Sequence, residues 1–304
     1  MQYLIGIDGG ATKTACIATD MDRNILFECF GGPSNFLITG ADKVSEMLFS
    51  LITRCRDKLQ CSYSDFASIV LGTTGAGRRT DAEELELSFK ACTAAHSVSL
   101  PFHVESDAMV ALEGAFSGKA GSILISGTGS VMFGKDASGS IHRVGGFGRF
   151  IGDEGSGYVI GRNGLSLLSK EYDGRGSKTM LSELVSAKFN ISDPDRLITA
   201  IYKNQFDIAS VAPLVIEVAE KGDRLCKSVL IQECSELIEH IRAMIKKINE
   251  PTLNLSLTGS IITSDNYFSG IFKERIAESL PNVKIQKPDY PPAMGAIIMA
   301  LQRL

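Results

Sequence analysis

The chain has 304 residues, of which 44% are hydrophobic and 22% charged, and its formal net charge at pH 7 is −4. This length favours two domains over one, and the composition is that of a globular protein rather than a disordered or fibrous one. The weak negative charge excludes a strong attraction to nucleic acid or to an anionic membrane surface, so neither is an expected partner.

The start of the chain and its cysteines predict a cytoplasmic protein. A strand begins at residues 3–7 with no basic and apolar leader before it, so we expect no secretory signal. No apolar stretch reaches the roughly 18 residues that a membrane-spanning helix needs. The seven cysteines are widely scattered and form no C-x-x-C pair, which predicts reduced structural thiols.

The chain opens with an apolar strand, a small-residue turn and a second strand, I-G-I-D-G-G-A-T-K-T at residues 5–14. Glycine lets backbone N–H groups approach a phosphate, and hydroxyls and a cation suit its oxygens. Asp8 ends the apolar strand, where an unpaired carboxylate is costly unless it binds a cation or hydrogen-bond donors. We interpret the turn as a phosphate site, and a plain hairpin turn is the alternative. Neither a Walker loop nor a G-x-G-x-x-G motif is present.

The first third of the chain alternates strands and helices. A strand over 24–30 leads to G-G-P-S-N, where the Asn35 amide can donate and accept hydrogen bonds or form an ordinary Asx turn. A helix over 41–59, a strand over 68–72, a helix opening at Asp81 and a strand over 102–105 follow. Asp107 then begins a helix over 107–116. It is a candidate base for orienting an acceptor hydroxyl. A helix N-cap is the plain interpretation, and the two roles are compatible.

From Gly121 the pattern of the opening hairpin restarts, with strands over 122–126, 131–135 and 141–144, so we place a domain boundary near residues 117–119. The turn S-G-T-G-S at 126–130 matches the first turn in composition. Two such turns suggest paired domains that close on a nucleotide. Helices are predicted to start at residues 193–194 and at 223–224, followed by strands over 253–257 and 283–285 and a small-residue helix over 291–301.

Two further segments suit a ligand. The run G-G-F-G-R-F-I-G-D-E-G-S-G at 145–157 has more glycines than core packing explains. Bare backbone permits close contact, and carboxylates accept hydrogen bonds from sugar hydroxyls, so this run suits the wall of a sugar site. The turn L-T-G-S at 257–260 could approach a flat adenine–ribose unit, although an ordinary strand–helix loop explains it nearly as well.

These motifs, in this order, resemble those of the BadF/BadG/BcrA/BcrD-type ATPases, and most closely those of the amino-sugar kinases among them. The resemblance implies an α/β protein with the actin-like ATPase fold of the sugar kinase/Hsp70 type. In that fold two ribonuclease H-like domains flank a central cleft for ATP and sugar. The domains would be residues 1–117, completed by the C-terminal helix 291–304, and residues 118–290.

The resemblance also assigns roles to residues. Asp107 would be the catalytic base, and Asp8 would hold Mg²⁺ through water. The sugar would contact Asn35, Gly145, Gly146, Phe147 and Asp153. The residues around ATP would be Gly9, Gly10, Thr12, Lys13, Thr14, Gly127, Thr128, Gly129, Ala209, Gly259 and Ser260. The chain departs from many relatives at Ala11, which replaces a glycine, and at Phe147, which replaces a tryptophan in some of them.

The implied activity is phosphorylation of the 6-hydroxyl of N-acetylglucosamine, with ATP and Mg²⁺ as cofactors. A kinase that accepts N-acetylmuramic acid as well, or glucosamine, is the nearest alternative. Two other classes are an ATPase activator of an acyl-CoA dehydratase-type enzyme, whose cysteines hold an iron–sulfur cluster, and a non-catalytic sugar sensor. The lack of a cysteine in a glycine-rich turn argues against the activator, and the presence of both Asp8 and Asp107 argues against the sensor. A homodimer is compatible with the family, but the sequence does not reveal one.

Overall fold

The computed structural model describes residues 1–10 and 12–304, so Ala11 lies outside the described residues. The chain divides into two compact units, residues 1–121 with 287–304 and residues 122–286. The domains expected from the sequence, residues 1–117 with 291–304 and residues 118–290, remain a proposal. No described helix is both long enough and apolar enough to span a membrane.

The first unit contains a five-stranded sheet with helices on both faces. Its strands are β1 (Tyr3–Gly9), β2 (Thr14–Thr19), β3 (Ile25–Gly31), β4 (Phe66–Thr73) and β5 (Phe102–Ser106). Its helices are α1 (Phe36–Thr39), α2 (Ala41–Leu59), α3 (Arg79–Ala95), α4 (Asp107–Ala115) and α12 (Pro292–Leu301), with a 3-10 turn at Tyr63–Asp65. The strand order is β3-β2-β1-β4-β5. Because β1, β4 and β5 run parallel, their carboxyl ends meet at one edge of the sheet.

Alternation of side chains along β1 divides the core of the first unit between the two faces of its sheet. Ile5 and Ile7 pack with α2 and α3, whereas Leu4 packs with α4 and α12. The close approach of α12 to the sheet requires glycine at position 6, where a Cβ would lie 2.2 Å from Ala293 O. This packing holds β1 between two helical layers.

The second unit repeats the sheet plan. Its strands are β6 (Gly121–Ser126), β7 (Ser130–Lys135), β8 (Ile141–Gly145), β9 (Leu253–Thr258) and β10 (Val283–Ile285), in the order β10-β9-β6-β7-β8. Parallel pairing joins β9 to both β6 and β10, and antiparallel pairing joins β7 to β8. The unit also contains α5 (Gly157–Tyr172), α6 (Met180–Phe189), α7 (Pro194–Lys203), a 3-10 turn at Ile208–Val211, α8 (Ala212–Glu220), α9 (Arg224–Ile248), α10 (Ser260–Thr263) and α11 (Tyr267–Ser279).

Aspartate caps define two helix starts of the second unit. Asp193 accepts a 2.9 Å hydrogen bond from Arg196 N at the start of α7. Asp223 accepts hydrogen bonds from two N–H groups at the start of α9, each at 3.0 Å. Both helix starts predicted from the sequence are therefore confirmed, because the carboxylates satisfy N–H groups that a helix leaves unpaired.

Candidate active site

Two carboxylates interact at the carboxyl edge of the first sheet. Asp8 is the penultimate residue of β1, and Asp107 directly follows β5. Burial raises the pKa of the Asp8 carboxyl, the negative charge of Asp107 raises it further, and Lys13 opposes both effects. No hydrogen bond to the Asp8 carboxylate is formed by the residues that the structure describes. Oxygen donors in this electrostatic setting suit a hard divalent cation such as Mg²⁺.

The Asp107 carboxylate is held on both of its oxygens. Thr74 Oγ1 donates to Oδ2 at 2.9 Å, and Ala108 N donates to Oδ1 at 2.8 Å. The residue that caps α4 is Ser106, whose Oγ accepts from Met109 N at 3.2 Å. The interpretation of Asp107 as the N-cap is therefore wrong. The capping role falls to Ser106, so the Asp107 carboxylate remains available to a ligand.

The two glycines that begin the first glycine turn are held by Lys13 and by two neighbouring segments. Gly10 N donates to Lys13 O at 3.0 Å, Ser34 N donates to Gly10 O at 3.1 Å, and Thr74 N donates to Gly9 O at 3.2 Å. A Cβ at Gly9 would lie 2.0 Å from Ser34 Oγ, so only glycine fits there. The backbone groups of Gly9 and Gly10 are therefore held beside Thr74, the partner of Asp107.

Thr12, Lys13 and Thr14 differ in accessibility. Thr12 and Lys13 are exposed, and Lys13 Nζ lies 5.7 Å from the centre of the Phe30 ring. Thr14 is fully buried, and its Oγ1 donates to Gly32 O at 2.7 Å. The side chains of Thr12 and Lys13 are thus open to a ligand, whereas the Thr14 hydroxyl links β2 to the end of β3.

Asn35 carries an unsatisfied acceptor at the same edge. Its backbone precedes α1, but its side chain does not cap that helix, and its Oδ1 is buried with no hydrogen-bond partner among the described residues. A Cβ at Gly75, which has φ +99°, would lie 3.2 Å from this oxygen. A buried acceptor without a donor costs free energy, so the oxygen is suited to accept a hydrogen bond from a ligand.

In the second unit, the start of α5 fixes the second glycine turn. Gly127 N donates to Gly129 O at 3.0 Å inside the turn. Gly157 N and Tyr158 N donate to the carbonyls of Gly127 and Thr128, at 2.8 and 3.2 Å. The Thr128 side chain is exposed. The turn therefore presents a rigid backbone and a free hydroxyl, as a phosphate site requires.

The glycine-rich segment exposes an aromatic ring. Gly145 and Gly146 have φ values of +69° and +71°, and a Cβ at Gly145 would lie 2.3 Å from His240 Nε2. Arg143 donates to the carbonyls of both glycines, and its guanidinium lies 5.9 Å from the centre of the Phe147 ring. Phe147 is 72% exposed. Phe147 therefore makes little contribution to the core and is available to stack on a ligand.

Asp153 and Gly259 both lie against the second turn. A Cβ at Gly129 would lie 2.9 Å from Asp153 Oδ2, and burial raises the pKa of the Asp153 carboxyl. Gly259 has φ +94°, and a Cβ there would lie 2.3 Å from Ser126 O. Ser260 is exposed at the start of α10. The glycine-rich segment over 145–157 and the turn over 257–260 thus both contact the turn over 127–129.

A cavity of about 780 Å³ lies beside this turn within the second unit. Its lining includes Thr128, Gly129, Phe150, Asp153, Tyr158, Tyr202 and Ile208. Ala209, predicted to lie near a nucleoside, directly follows Ile208, and its N–H donates to Asp207 Oδ1 at 3.1 Å. The aromatic rings and the volume suit a planar ligand.

Glu233 supports the glycine-rich segment and was missed in the sequence. It is 2% exposed, its Oε2 accepts from Gly155 N at 2.7 Å, and its Oε1 accepts from Asn163 Nδ2 at 2.8 Å. Burial raises the pKa of its carboxyl. The available signal was an acid on the apolar face of a helix, between Leu230 and Leu237. Thr74 was also missed, although it follows a buried strand as the other turns do.

Known proteins resemble the chain over its whole length. The model of the BadF/BadG/BcrA/BcrD ATPase family matches residues 5–300. An N-acetylmuramic acid/N-acetylglucosamine kinase of Clostridium acetobutylicum is 33% identical over 305 residues, which cover 99% of this chain and 98% of the relative. An N-acetyl-D-glucosamine kinase of Dictyostelium discoideum is 31% identical, with coverage of 99% and 98%.

A solved structure agrees with these relatives. A candidate N-acetylglucosamine kinase from Chromobacterium violaceum superposes with a TM-score of 0.75 at 25% identity, over 99% of both chains. Together with the two repeated five-stranded sheets, this likeness confirms the actin-like ATPase fold expected from the motifs.

Proposed function

The chain belongs to the BadF/BadG/BcrA/BcrD ATPase family and is an ATP-dependent sugar kinase, and we propose that it phosphorylates the 6-hydroxyl of N-acetylglucosamine. The observation that carries the proposal is the carboxylate pair of the first unit. Asp107 is fixed by Thr74, and Asp8 lies close enough for the two charges to interact. A non-catalytic sugar sensor would need neither group.

Asp107 acts as the base. It accepts a hydrogen bond from the sugar hydroxyl and takes its proton as the new O–P bond forms. The bond from the γ-phosphorus to the bridging oxygen breaks in the same transfer, which leaves ADP and a sugar phosphate. Thr74 sets the direction of the carboxylate before substrate binds, and phosphoryl transfer depends chiefly on such positioning.

Asp8 is the residue that would hold Mg²⁺, through water. Its half-buried carboxylate oxygens suit a hard cation as ligands, and the neighbouring negative charge of Asp107 favours such a cation. When bound, Mg²⁺ supplies positive charge that offsets the charge of the phosphate oxygens. The backbone of Gly9 and Gly10, with the exposed side chains of Thr12 and Lys13, binds the phosphates in the first unit.

The second unit binds the nucleotide through its own turn. Gly127, Thr128 and Gly129 contact phosphate oxygens. The cavity beside them, with Ala209 next to its lining, holds the nucleoside. Gly259 and Ser260 border the same turn and contribute backbone to the adenosine site.

Each unit offers groups that suit a sugar, Asn35 in the first unit and residues 145–153 in the second. Asn35 Oδ1 has no hydrogen-bond donor among the described residues, and it accepts a hydrogen bond from a sugar hydroxyl. Gly145 and Gly146 allow close approach, Phe147 stacks on the apolar face of the ring, and Asp153 accepts from a hydroxyl. Acceptance of N-acetylmuramic acid, one of the two substrates in the name of the C. acetobutylicum relative, would need extra space beside the third hydroxyl of the sugar.

The competing activator function finds less support. Cys226 and Cys234 are buried within α9 rather than displayed in a turn, so they offer no cysteine pair to a second subunit. A cytoplasmic location, and assembly as a homodimer, remain proposals.

The acceptor is tested by measuring ADP release with N-acetylglucosamine, N-acetylmuramic acid, glucosamine, N-acetylmannosamine and glucose. We expect the highest kcat/KM with N-acetylglucosamine, and phosphorus–proton coupling to the C6 protons in the product NMR spectrum. Phosphate at another carbon, or a clear preference for a different sugar, would overturn the proposed specificity while leaving the kinase assignment intact.

A further inference from the structure

Three cysteines that are distant in sequence meet in the core of the first unit. Cys16 lies on β2, Cys29 on β3 and Cys55 on α2, and their Sγ atoms all lie within 4.8 Å of one another. The distance from Cys16 Sγ to Cys55 Sγ is 3.7 Å. All three are free thiols with at most 2% exposure. We call this group the thiol cluster.

The spacing of the thiol cluster suits one ion with three sulfur ligands. Bonds of about 2.3 Å to sulfur place three sulfur ligands about 3.4 Å apart around a pyramidal centre such as trivalent arsenic, and about 4.0 Å apart around a planar one. Among the described residues, no histidine, carboxylate or fourth cysteine joins the group. Because the three thiols are at most 2% exposed, bulk water does not reach the cluster to supply a fourth ligand. The cluster therefore does not match the four ligands of a structural zinc site, but it does match a soft three-coordinate ion.

Charge selects among the soft ions. Three thiolates carry a total charge of −3, so monovalent copper would leave −2 and a divalent ion −1. Trivalent arsenic would leave a neutral complex. The cluster is surrounded by apolar side chains such as Val44, Leu48 and Ile52. Because a net charge in such surroundings is costly, the neutral arsenic complex is favoured.

We propose that Cys16, Cys29 and Cys55 form a binding site for trivalent arsenic. Arsenous acid condenses with the three thiols. Three As–S bonds form, three As–O bonds break, and each thiol proton leaves with a hydroxyl group as water. No oxidant or reductant is needed, because arsenic stays trivalent and sulfur keeps its oxidation state.

Two features of the fold indicate how arsenic reaches the thiol cluster and what its binding would change. β3 is an edge strand, and most of its residues other than Cys29 are exposed, so local opening of this strand uncovers the cluster. Cys16 pairs directly with Cys29, and the pair Thr14–Gly31 of the same ladder ends at the first glycine turn. Bound arsenic would therefore link β2, β3 and α2 beneath that turn. Inhibition of phosphoryl transfer by arsenite follows from this link, and this consequence alone rests on the proposed function.

The test is arsenite binding to the reduced full-length protein, measured by native mass spectrometry and arsenic X-ray absorption. We expect one arsenic atom per chain, a mass increase of one arsenic less three hydrogens, and three sulfur atoms as the only ligands. No retained arsenic, or oxygen among the ligands, would overturn the proposal. Zn²⁺ added at the same concentration should not bind stoichiometrically.

Variants locate the site. Cys29→Ala should abolish stoichiometric arsenic binding, whereas Cys92→Ala, on α3 outside the cluster, should leave it unchanged. Equal binding by wild type and Cys29→Ala would contradict the assignment. If Cys29→Ala fails to fold by circular dichroism, the sulfur count in the wild type still decides the question. Because binding is read without catalysis, an inactive kinase and an absent arsenic site are distinguishable outcomes.

Discussion

Thr74 Oγ1 donates a 2.9 Å hydrogen bond to Asp107 Oδ2, and thereby joins the loop after β4 to the first residue of α4. The bond uses one lone pair of the carboxylate and fixes its plane. Thr74 N also donates to Gly9 O, so the same residue ties the first glycine turn to the proposed base. Thr74 is therefore a positioning residue for the proposed reaction.

Removal of the Thr74 hydroxyl should misorient Asp107 without removing it. Thr74→Val keeps the volume of the side chain, and we expect kcat to fall about 10- to 100-fold because a hydrogen bond to a charged group is lost. KM for ATP should change little. Thr74→Ser keeps the hydroxyl and should restore most of kcat in steady-state assays. Loss of kcat in Thr74→Ser but not in Thr74→Val would show that the methyl contact, not the hydroxyl, matters.

Asp8 should make stability depend on pH. Its pKa is raised in the folded state by burial and by Asp107, so the folded chain binds its proton more tightly than the unfolded chain. The stability it contributes is present below the unfolded pKa and is lost as pH rises through the folded value. Asp8→Asn should therefore gain stability relative to wild type as pH rises to 7, in urea unfolding without Mg²⁺.

The control for this experiment is Asp22→Asn, which changes an exposed aspartate after β2. The side chain of Asp22 is exposed, so this variant controls for the change from carboxylate to amide without burial. Asp8→Asn should also lose turnover despite its greater stability. A pH-independent difference for Asp8→Asn would contradict the electrostatic account of this site.

Two glycines of the same segment separate backbone strain from crowding. Gly145 and Gly148 have φ values of +69° and +87°, but a Cβ at Gly145 would overlap His240, whereas a Cβ at Gly148 would meet open space. Gly148→Ala should cost about 1 kcal/mol of unfolding free energy, and Gly145→Ala about 2–4 kcal/mol. Denaturant unfolding measures both values. Equal costs would mean that the His240 side chain moves away freely.

Substitution of two exposed aromatic residues should raise KM for different substrates. Phe147→Ala should raise KM for the sugar about tenfold, because a stacking surface is lost. Phe150→Ala, which changes a residue lining the cavity of the second unit, should instead raise KM for ATP. Since Phe147 and Phe150 are 72% and 81% exposed, neither change should alter the unfolding free energy by more than about 0.5 kcal/mol. The reverse pattern of KM changes would exchange the two assignments.

Local patterns in the sequence were sufficient to predict most elements of this fold. The helix over 41–59 agrees with α2 to the residue, because its apolar positions repeat at helical spacing and the chain turns at both ends. The aspartates at 193 and 223 likewise revealed the helices that they cap. α3 begins two residues before the predicted Asp81, because its first turn lacks a capping side chain that would mark the start.

Contacts between distant segments could not be predicted in this way. The bond from Thr74 to Asp107 spans 33 residues, and that from Gly155 to Glu233 spans 78. Cys16 and Cys55 are likewise 39 residues apart, yet their sulfur atoms are in contact, so cysteines that are scattered in the sequence are neighbours in the fold. Such pairs depend on how strands, helices and loops pack together, which the spacing of residues along the chain does not encode.

The most direct test of the account is Asp107→Asn, assayed for phosphorylation of N-acetylglucosamine and for ATP binding by calorimetry. The substitution keeps the size of the side chain but removes the base, so we expect turnover to fall at least about 1,000-fold, while the Kd for ATP stays within about threefold of wild type. Retention of phosphorylation by Asp107→Asn would contradict the central claim that this carboxylate accepts the proton of the sugar hydroxyl.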